Sequence, residues 1–129
     1  MTDSAEKQHI LITGATSGIG NQLTKDYLLE GHTVYAVGRD DEALAELKSL
    51  GAETIDLDLM DREKVIAAFE KVDTIDLAIC GAGMCEYLDM PNFDSEVFMK
   101  VMSVNMGTLS HAIEGVLPCL LYTSDAADE

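Results

Sequence analysis

Hydrophobic positions along this chain alternate between two periods. Short apolar or β-branched runs predict strands over residues 9–13, 33–37, 53–57 and 75–80. Apolar residues at helical spacing predict helices over residues 18–30, 41–50 and 62–69, and from Asp94 or Ser95 to Leu117. Strands that alternate with helices indicate an α/β fold with a parallel sheet covered by helices on both faces.

The ends of the predicted helices have recognisable signals. Aspartates precede the second and third helices, where Asp40 or Asp41 and then Asp61 are predicted N-caps. Gly31 and Gly51 follow the first two helices and Pro118 follows the fourth, so these residues are predicted to end them. The core-facing stripes are expected at Ile19, Leu23, Tyr27 and Leu28; at Leu44, Leu47 and Leu50; and at Val65, Ala68 and Phe69.

The fourth helix has apolar residues on more than one face. These residues are Val97, Phe98, Val101, Met102, Val104, Met106, Leu109, Ile113 and Val116. A helix that is apolar over such a broad arc is buried on more than one side. It is either enclosed within its own domain, or it packs on the sheet and on a partner subunit; we favour the partner subunit.

A glycine-rich turn lies between the first strand and the first helix. Residues 13–20 read Thr-Gly-Ala-Thr-Ser-Gly-Ile-Gly. Here Gly14 permits a tight turn, Gly18 lets the backbone approach a phosphate, and Gly20 lets the helix pack closely on the strand. Free amides at the helix start then favour an anion. The alternative is an ordinary glycine turn.

The T-G-x-x-x-G-x-G spacing resembles the short-chain dehydrogenase/reductase family, and the resemblance covers about residues 10–118. It implies a Rossmann-type doubly wound sheet of strand order 3-2-1-4, which this chain would carry incompletely. Asp58 matches the family residue that holds the adenine amino group, with the Leu59 backbone beside it, although a helix-cap or turn aspartate is the alternative. Ala82-Gly83 matches the end of the family's N-N-A-G motif, where Cys80 and Gly81 replace the two asparagines.

The resemblance assigns coenzyme contacts to Gly14, Thr16, Ser17, Gly18, Ile19, Gly20, Arg39, Asp58, Leu59, Gly81, Ala82 and Gly83. It assigns a catalytic proton-relay role to Asn105, which could instead be a satisfied core amide. Gly38 has no carboxylate for a ribose hydroxyl, and Arg39 can pair with a 2′-phosphate, so NADP is expected rather than NAD. Alternatively, Arg39 pairs with Asp40 or Asp41 on the surface.

Composition narrows the function classes. The net charge of −16 disfavours nucleic acid and anionic membranes as partners. Residues 1–8 form a polar N-terminal extension without the features of a signal peptide. The three cysteines form no C-x-x-C pair, so we expect no metal site, reduced thiols and a cytoplasmic protein. Cys80 is expected to act as a small buried apolar residue.

The family's proton donor, a Tyr four positions before a Lys, is absent from these 129 residues. We therefore expect the cofactor-binding half of an oxidoreductase that moves hydride between NADP(H) and a small carbonyl or alcohol substrate. This half would be inactive alone, and the complete protein would be a homo-oligomer through residues 95–117. The alternatives are a non-catalytic redox sensor and, disfavoured by the glycine spacing, a sugar-nucleotide epimerase.

The last residues, 119–129, do not continue the family pattern, which predicts an apolar strand there. They resemble a translated sequencing adapter, and a natural polar tail is the alternative. The predicted organisation is therefore an extension over residues 1–8, a partial dinucleotide-binding domain over residues 9–118 and a foreign tail over residues 119–129.

Overall fold

The computed structural model describes residues 6–87 and 91–128, with side chains as far as residue 120. Its strands are β1 His9–Thr13, β2 Thr33–Gly38, β3 Glu53–Asp56 and β4 Leu77–Cys80. Its helices are α1 Gly18–Leu29, α2 Asp41–Ser49, α3 Arg62–Phe69 and α4 Ser95–Asp128. The strands form one parallel sheet of order β3-β2-β1-β4, which confirms the predicted topology.

Each face of the sheet is covered by its own cluster of buried apolar side chains. Alternate residues of β1 point to opposite faces, because side chains alternate along a strand. Ile10 and Ile12 join the cluster that includes Leu47 of α2, and Leu23 and Tyr27 of α1 pack against it. The opposite cluster contains Leu11, Leu57, Leu59, Val65, Phe69, Ile75 and Val116, among others. Helices α1 and α2 thus cover one face, and α3 and α4 cover the other, as the doubly wound fold requires.

The predicted caps are present at the helix ends. Oδ1 of Asp40 accepts a hydrogen bond from the Ala43 amide at 3.1 Å, and Oδ1 of Asp61 accepts one from the Lys64 amide at 3.2 Å. Gly31 and Gly51 adopt positive φ angles of 91° and 109° directly beyond the first two helices. Such a backbone conformation ends a helix and favours glycine.

Two residues predicted for the core-facing stripes are exposed. Ile19 lies in the first turn of α1 and is 79% exposed, because this turn opens on a cleft rather than on the sheet. Leu50 is 51% exposed, because it is the C-cap of α2, where the chain already turns away from the sheet. The interior residues of both stripes are buried or partly buried.

The end of α4 also differs from the prediction, because the helix runs through Pro118 to Asp128. Proline lacks the amide that would bond to the carbonyl four residues earlier, here that of Glu114. This loss removes one bond of the helical ladder, and the residues on both sides keep their helical backbone. The start of β4 moves as well, from residue 75 to Leu77, although Ile75 is fully buried.

Helices α3 and α4 are joined by an ion pair and a close contact. Nε and Nη2 of Arg62 donate to the two carboxylate oxygens of Glu114 at 2.8 and 2.7 Å. The hydrogen bond from Arg62 holds the pKa of Glu114 below its ordinary value. Beside this pair, a Cβ on Gly115 would lie only 2.8 Å from Cδ2 of the buried Phe69 ring.

Within the residues that the structure describes, none of the helices combines the length and the apolar character needed to cross a membrane.

Candidate functional site

A cleft of about 890 Å³ opens at the carboxyl ends of the strands. Ligands of open α/β sheets bind at this edge, and the volume lies within the range of small-molecule sites. The predicted coenzyme contacts all line this cleft: Gly14, Thr16, Ser17, Gly18, Ile19, Gly20, Arg39, Asp58, Leu59, Gly81, Ala82 and Gly83. The fold thus brings residues from four separate loops to one place, and their contact with a coenzyme stays a prediction.

The floor of the cleft is a close contact between the loops after β1 and β4. Gly14 has a φ of 73°, and a Cβ there would lie 2.6 Å from the carbonyl of Gly81. Oγ1 of the buried Thr13 accepts hydrogen bonds from the amides of Gly81 and Ala82 at 3.0 and 3.3 Å. Only glycine fits position 14, because both its backbone angle and its neighbour exclude a side chain.

The start of α1 faces the open cleft. Gly18 has a φ of 58°, and a Cβ there would meet no protein atom within 4 Å. A Cβ on Gly20 would overlap the carbonyl oxygen of Gly14, so this glycine lets the helix pack on the turn. Ser17, the N-cap, makes no side-chain hydrogen bond to the helix amides. These amides and the positive end of the helix dipole can therefore bind an anion.

Arg39 and Asp58 lie at one end of the cleft. Nη1 of Arg39 is 3.9 Å from Oδ1 of Asp58, and this ion pair replaces the alternative pairs with Asp40 or Asp41. The same oxygen of Asp58 accepts a hydrogen bond from the Met60 amide at 2.9 Å, so Asp58 is also a turn aspartate. The two side chains are 72% and 49% exposed, which leaves the guanidinium accessible to a ligand.

Leu59 combines two roles. Its side chain is only 6% exposed and belongs to the core, although the residue lines the cleft. Its carbonyl oxygen lies 2.7 Å from Nδ1 of His111 on α4. Helix α4 therefore fixes the backbone of the loop that carries Asp58, a role of His111 that the sequence pattern did not indicate.

Asn105 holds the loop after β4 through both ends of its amide. Oδ1 accepts a hydrogen bond from the Met84 amide at 2.7 Å, and Nδ2 donates to the Met84 carbonyl at 3.1 Å. The side chain thus pairs with the backbone as a neighbouring strand would. A Cβ on Gly83 would lie 2.9 Å from Oδ1, so glycine makes room for this contact. Asn105 does not line the cleft itself.

Thr108 lines the cleft but was not predicted from the sequence. It is 7% exposed and lines the cleft, and its hydroxyl lies within hydrogen-bond distance of the carbonyl oxygens of Ala82, at 3.5 Å, and Asn105, at 3.2 Å. The sequence feature that could have indicated Thr108 is its position three residues after Asn105, because residues at this spacing lie on one face of a helix.

Cys80, which was expected to be a small buried apolar residue, is only partly buried at the end of β4. Its burial raises the pKa of its thiol above the ordinary value. Among the described residues, no group of three or more His, Cys, Asp or Glu side chains is placed to hold a metal ion.

Comparisons with known proteins agree with this geometry. A sequence model of the short chain dehydrogenase family matches residues 8–127. The chain is 28% identical over 116 residues to a short-chain dehydrogenase/reductase of Pestalotiopsis microspora, which covers 89% of this chain and 43% of that protein. It is 30% identical over 117 residues to the NADP-dependent 3-hydroxy acid dehydrogenase YdfG of Escherichia coli, covering 84% and 47% of the two chains.

Among solved structures, serine dehydrogenase from Escherichia coli superposes with a TM-score of 0.79 at 27% identity. The superposition covers 89% of this chain and 57% of that one. This chain therefore spans about half the length of the relatives it matches. With its parallel sheet, its glycine turn and a family match over nearly all of its residues, the chain belongs to the short chain dehydrogenase family.

Proposed function

We propose that this chain binds NADP(H) in the cleft, and that the protein carrying it transfers hydride between NADP(H) and a small carbonyl or alcohol substrate. The observation that carries the proposal is the glycine turn: Gly14 is closed against Gly81, whereas Gly18 presents free backbone to the cleft. A diphosphate fits this arrangement, because helix amides without side-chain caps face open space. The bound nicotinamide would supply or accept the hydride.

The proposed contacts divide by the part of the coenzyme that they would hold. Residues 16–20 and Gly14 would hold the diphosphate, and Gly81, Ala82 and Gly83 would line the ribose on the nicotinamide side. Asp58 would accept a hydrogen bond from the adenine amino group, beside the Leu59 backbone. Arg39 would pair with the 2′-phosphate, because its side chain is 72% exposed and its guanidinium stays accessible beside Asp58. The NADP dependence named for the Escherichia coli relative supports this preference.

A non-catalytic dinucleotide-binding protein is the second candidate function. A proton-relay role for Asn105 argues against it, but both ends of this amide are already bonded to Met84. Asn105 therefore has a structural use that a pure binder would also need. No Tyr in the 129 residues precedes a Lys by four positions, so we propose that these residues alone bind coenzyme without turnover. Coenzyme oxidation by the protein that carries this sequence separates the two functions.

We further propose that the protein self-associates through α4. Five apolar side chains alternate three and four positions apart along this helix and are 38–58% exposed: Met99, Met102, Met106, Leu109 and Ile113. We call this set the α4 stripe. Such spacing is typical of helices that pack on a second helix. The odd count of three cysteines in the sequence supports our further proposal of a cytoplasmic location, where thiols stay reduced.

The experiment that tests coenzyme binding compares two glycines. Gly18 and Gly51 both have positive φ, and a Cβ on either meets no atom within 4 Å, but Gly51 lies at the end of α2, outside the cleft. Alanine at either position strains the backbone by about 1 kcal/mol. We expect Gly18→Ala to weaken NADPH binding at least ~10-fold, measured by calorimetric titration, because its Cβ would collide with the diphosphate.

The Gly51→Ala variant is the matched control, and its affinity for NADPH should equal that of the unsubstituted protein. Equal affinity in all three proteins would mean that the glycine turn does not hold the coenzyme, and the proposed function would be wrong.

A further inference from the structure

The backbone conformation of Gly38 does not itself require glycine. The positive-φ glycines of the described chain are Gly14, Gly18, Gly31 and Gly51, and Gly38 is not among them. Gly38 ends β2, where it lies opposite Asp56 of β3 and its carbonyl accepts a hydrogen bond from the Leu57 amide at 3.0 Å. Any L-residue can adopt this strand conformation. The constraint on position 38 must therefore come from a neighbour.

That neighbour is Thr16 of the glycine turn. A Cβ on Gly38 would overlap Cγ2 of Thr16, and would lie 3.0 Å from its Oγ1 and 3.2 Å from its Cβ. Rotation about χ1 moves the methyl and hydroxyl groups of Thr16 but leaves its Cβ in place, so a new rotamer relieves only part of the conflict. The side chain of Thr16 fills the space that a side chain at position 38 would need.

We propose that Thr16 is a specificity-determining residue, which keeps position 38 free of a side chain and so excludes the carboxylate that would favour NAD. This inference rests on the proposed coenzyme site. An acidic residue at the end of the second strand accepts a hydrogen bond from the ribose 2′-hydroxyl of NAD and repels the phosphate of NADP. With Thr16 in place, a carboxylate side chain at position 38 is disfavoured by this steric conflict, and Arg39 keeps its access to a 2′-phosphate.

The physical consequence is that positions 16 and 38 are coupled. Changing position 38 alone forces overpacking against Thr16, whereas removing the Thr16 side chain opens the space first. A change of coenzyme preference therefore needs substitutions at both positions, although only the one at position 38 introduces the carboxylate.

The first arm of the test is a double-mutant cycle in thermal stability, which involves no coenzyme. It uses Gly38→Ala, Thr16→Gly and the double variant of the protein carrying this sequence. We expect Gly38→Ala to lower the Tm by about 4 °C or more in the presence of Thr16, and by much less in the Thr16→Gly background. Equal losses in both backgrounds would overturn the proposed steric coupling.

A Thr16→Val background is the matched control for the hydroxyl, because valine keeps the branched shape and removes only the polar atom. Gly38→Ala should lower the Tm there as much as it does beside Thr16. A loss that disappears in the Thr16→Val background would assign the effect to the hydroxyl and would overturn a role based on shape.

The second arm measures NADPH and NADH affinities by calorimetric titration. We expect Gly38→Asp alone to gain no preference for NADH. In the Thr16→Gly/Gly38→Asp variant, the ratio of NADH affinity to NADPH affinity should be at least ~10-fold higher than in Gly38→Asp. Equal preferences in these two variants would overturn the role of Thr16 in specificity. If the unsubstituted protein binds neither coenzyme while the stability coupling persists, the proposed function fails and the specificity role fails with it.

Discussion

At the scale of single residues, glycine is favoured for different physical reasons at different positions of this chain. Gly14 is required by its backbone angle and by the loop after β4, whereas at Gly18 only the backbone angle favours glycine, because a Cβ there would meet no protein atom. Gly38 is required by the side chain of Thr16, and Gly115 by the ring of Phe69. The spacing of the glycine turn assigned separate roles to Gly14 and Gly18, but no local pattern indicated why glycine is needed at positions 38 and 115.

Arg39 is the residue on which the proposed preference for NADP depends. We expect Arg39→Ala to weaken NADPH binding by about 10- to 100-fold, because a charge-assisted pair with phosphate is lost. NADH lacks the 2′-phosphate, so its affinity should change little. Parallel titrations with the two coenzymes measure the difference.

The control for the Arg39 prediction is Lys25→Ala, because the chain is strongly acidic and losing any cation weakens anion binding. Lys25 lies on α1, pairs with Glu46 at 3.6 Å and does not line the cleft. If both substitutions weaken NADPH equally, the effect is general electrostatics and Arg39 does not select the coenzyme.

At the scale of elements, α4 positions the site by holding two loops that it does not itself contain. His111 contacts the Leu59 carbonyl after β3, and Asn105 pairs with Met84 after β4. These anchors depend on how closely α4 lies against α3, and Gly115 sets that distance. The catalytic role of Asn105 stays a prediction, and its anchoring role is what the hydrogen bonds demonstrate.

The close approach of α3 and α4 gives a prediction at Gly115. Alanine normally stabilises a helix by about 0.5–1 kcal/mol relative to glycine. We expect Gly115→Ala to destabilise the protein instead, by about 1–3 kcal/mol, because its Cβ would press on the Phe69 ring and on Val65. Chemical denaturation measures the difference in unfolding free energy.

Ser110→Ala on the exposed side of α4 is the control for Gly115→Ala. Alanine there should leave stability unchanged or raise it slightly. A gain of stability from Gly115→Ala, like that of an exposed helical position, would contradict the close packing of α3 on α4.

At the scale of the whole molecule, the α4 stripe leaves the largest row of exposed apolar side chains along one helix of the described chain. If a second copy covers it, a charge within the stripe should separate the copies. We expect Met102→Glu in the protein carrying this sequence to raise the dissociation constant of the dimer at least ~10-fold. Sedimentation velocity at several concentrations measures it.

Ser103→Glu is the control for self-association, because it places the same charge on the adjacent exposed position of α4, outside the stripe. It should leave the dimer intact. A protein that is monomeric without any substitution, or that dimerises equally well with Met102→Glu, would remove the stripe as an interface.

The order of elements could be predicted because it depends on local periodicity. The alternation of strand runs with helical spacing led directly to the parallel sheet, and the caps at Asp40 and Asp61 set helix starts to within one residue. The glycine turn was equally visible, because its spacing is contiguous. The predicted end at Pro118 was wrong, because a missing amide lowers helix stability without forbidding the helix. The boundary of the tail at residue 119 stays a prediction.

The sequence by itself determined the fold class and the position of the glycine turn, since these follow from short-range patterns, and its resemblance to the family indicated the other residues that line the cleft. Tertiary structure decided which distant residues meet: Thr16 with Gly38, Asn105 with Met84, and Arg39 with Asp58. No local pattern encodes such pairs, because they form only when separate loops converge at one edge of the sheet. Tertiary structure also decided that Ile19 faces the cleft and is exposed, although helical spacing alone predicted it in the core.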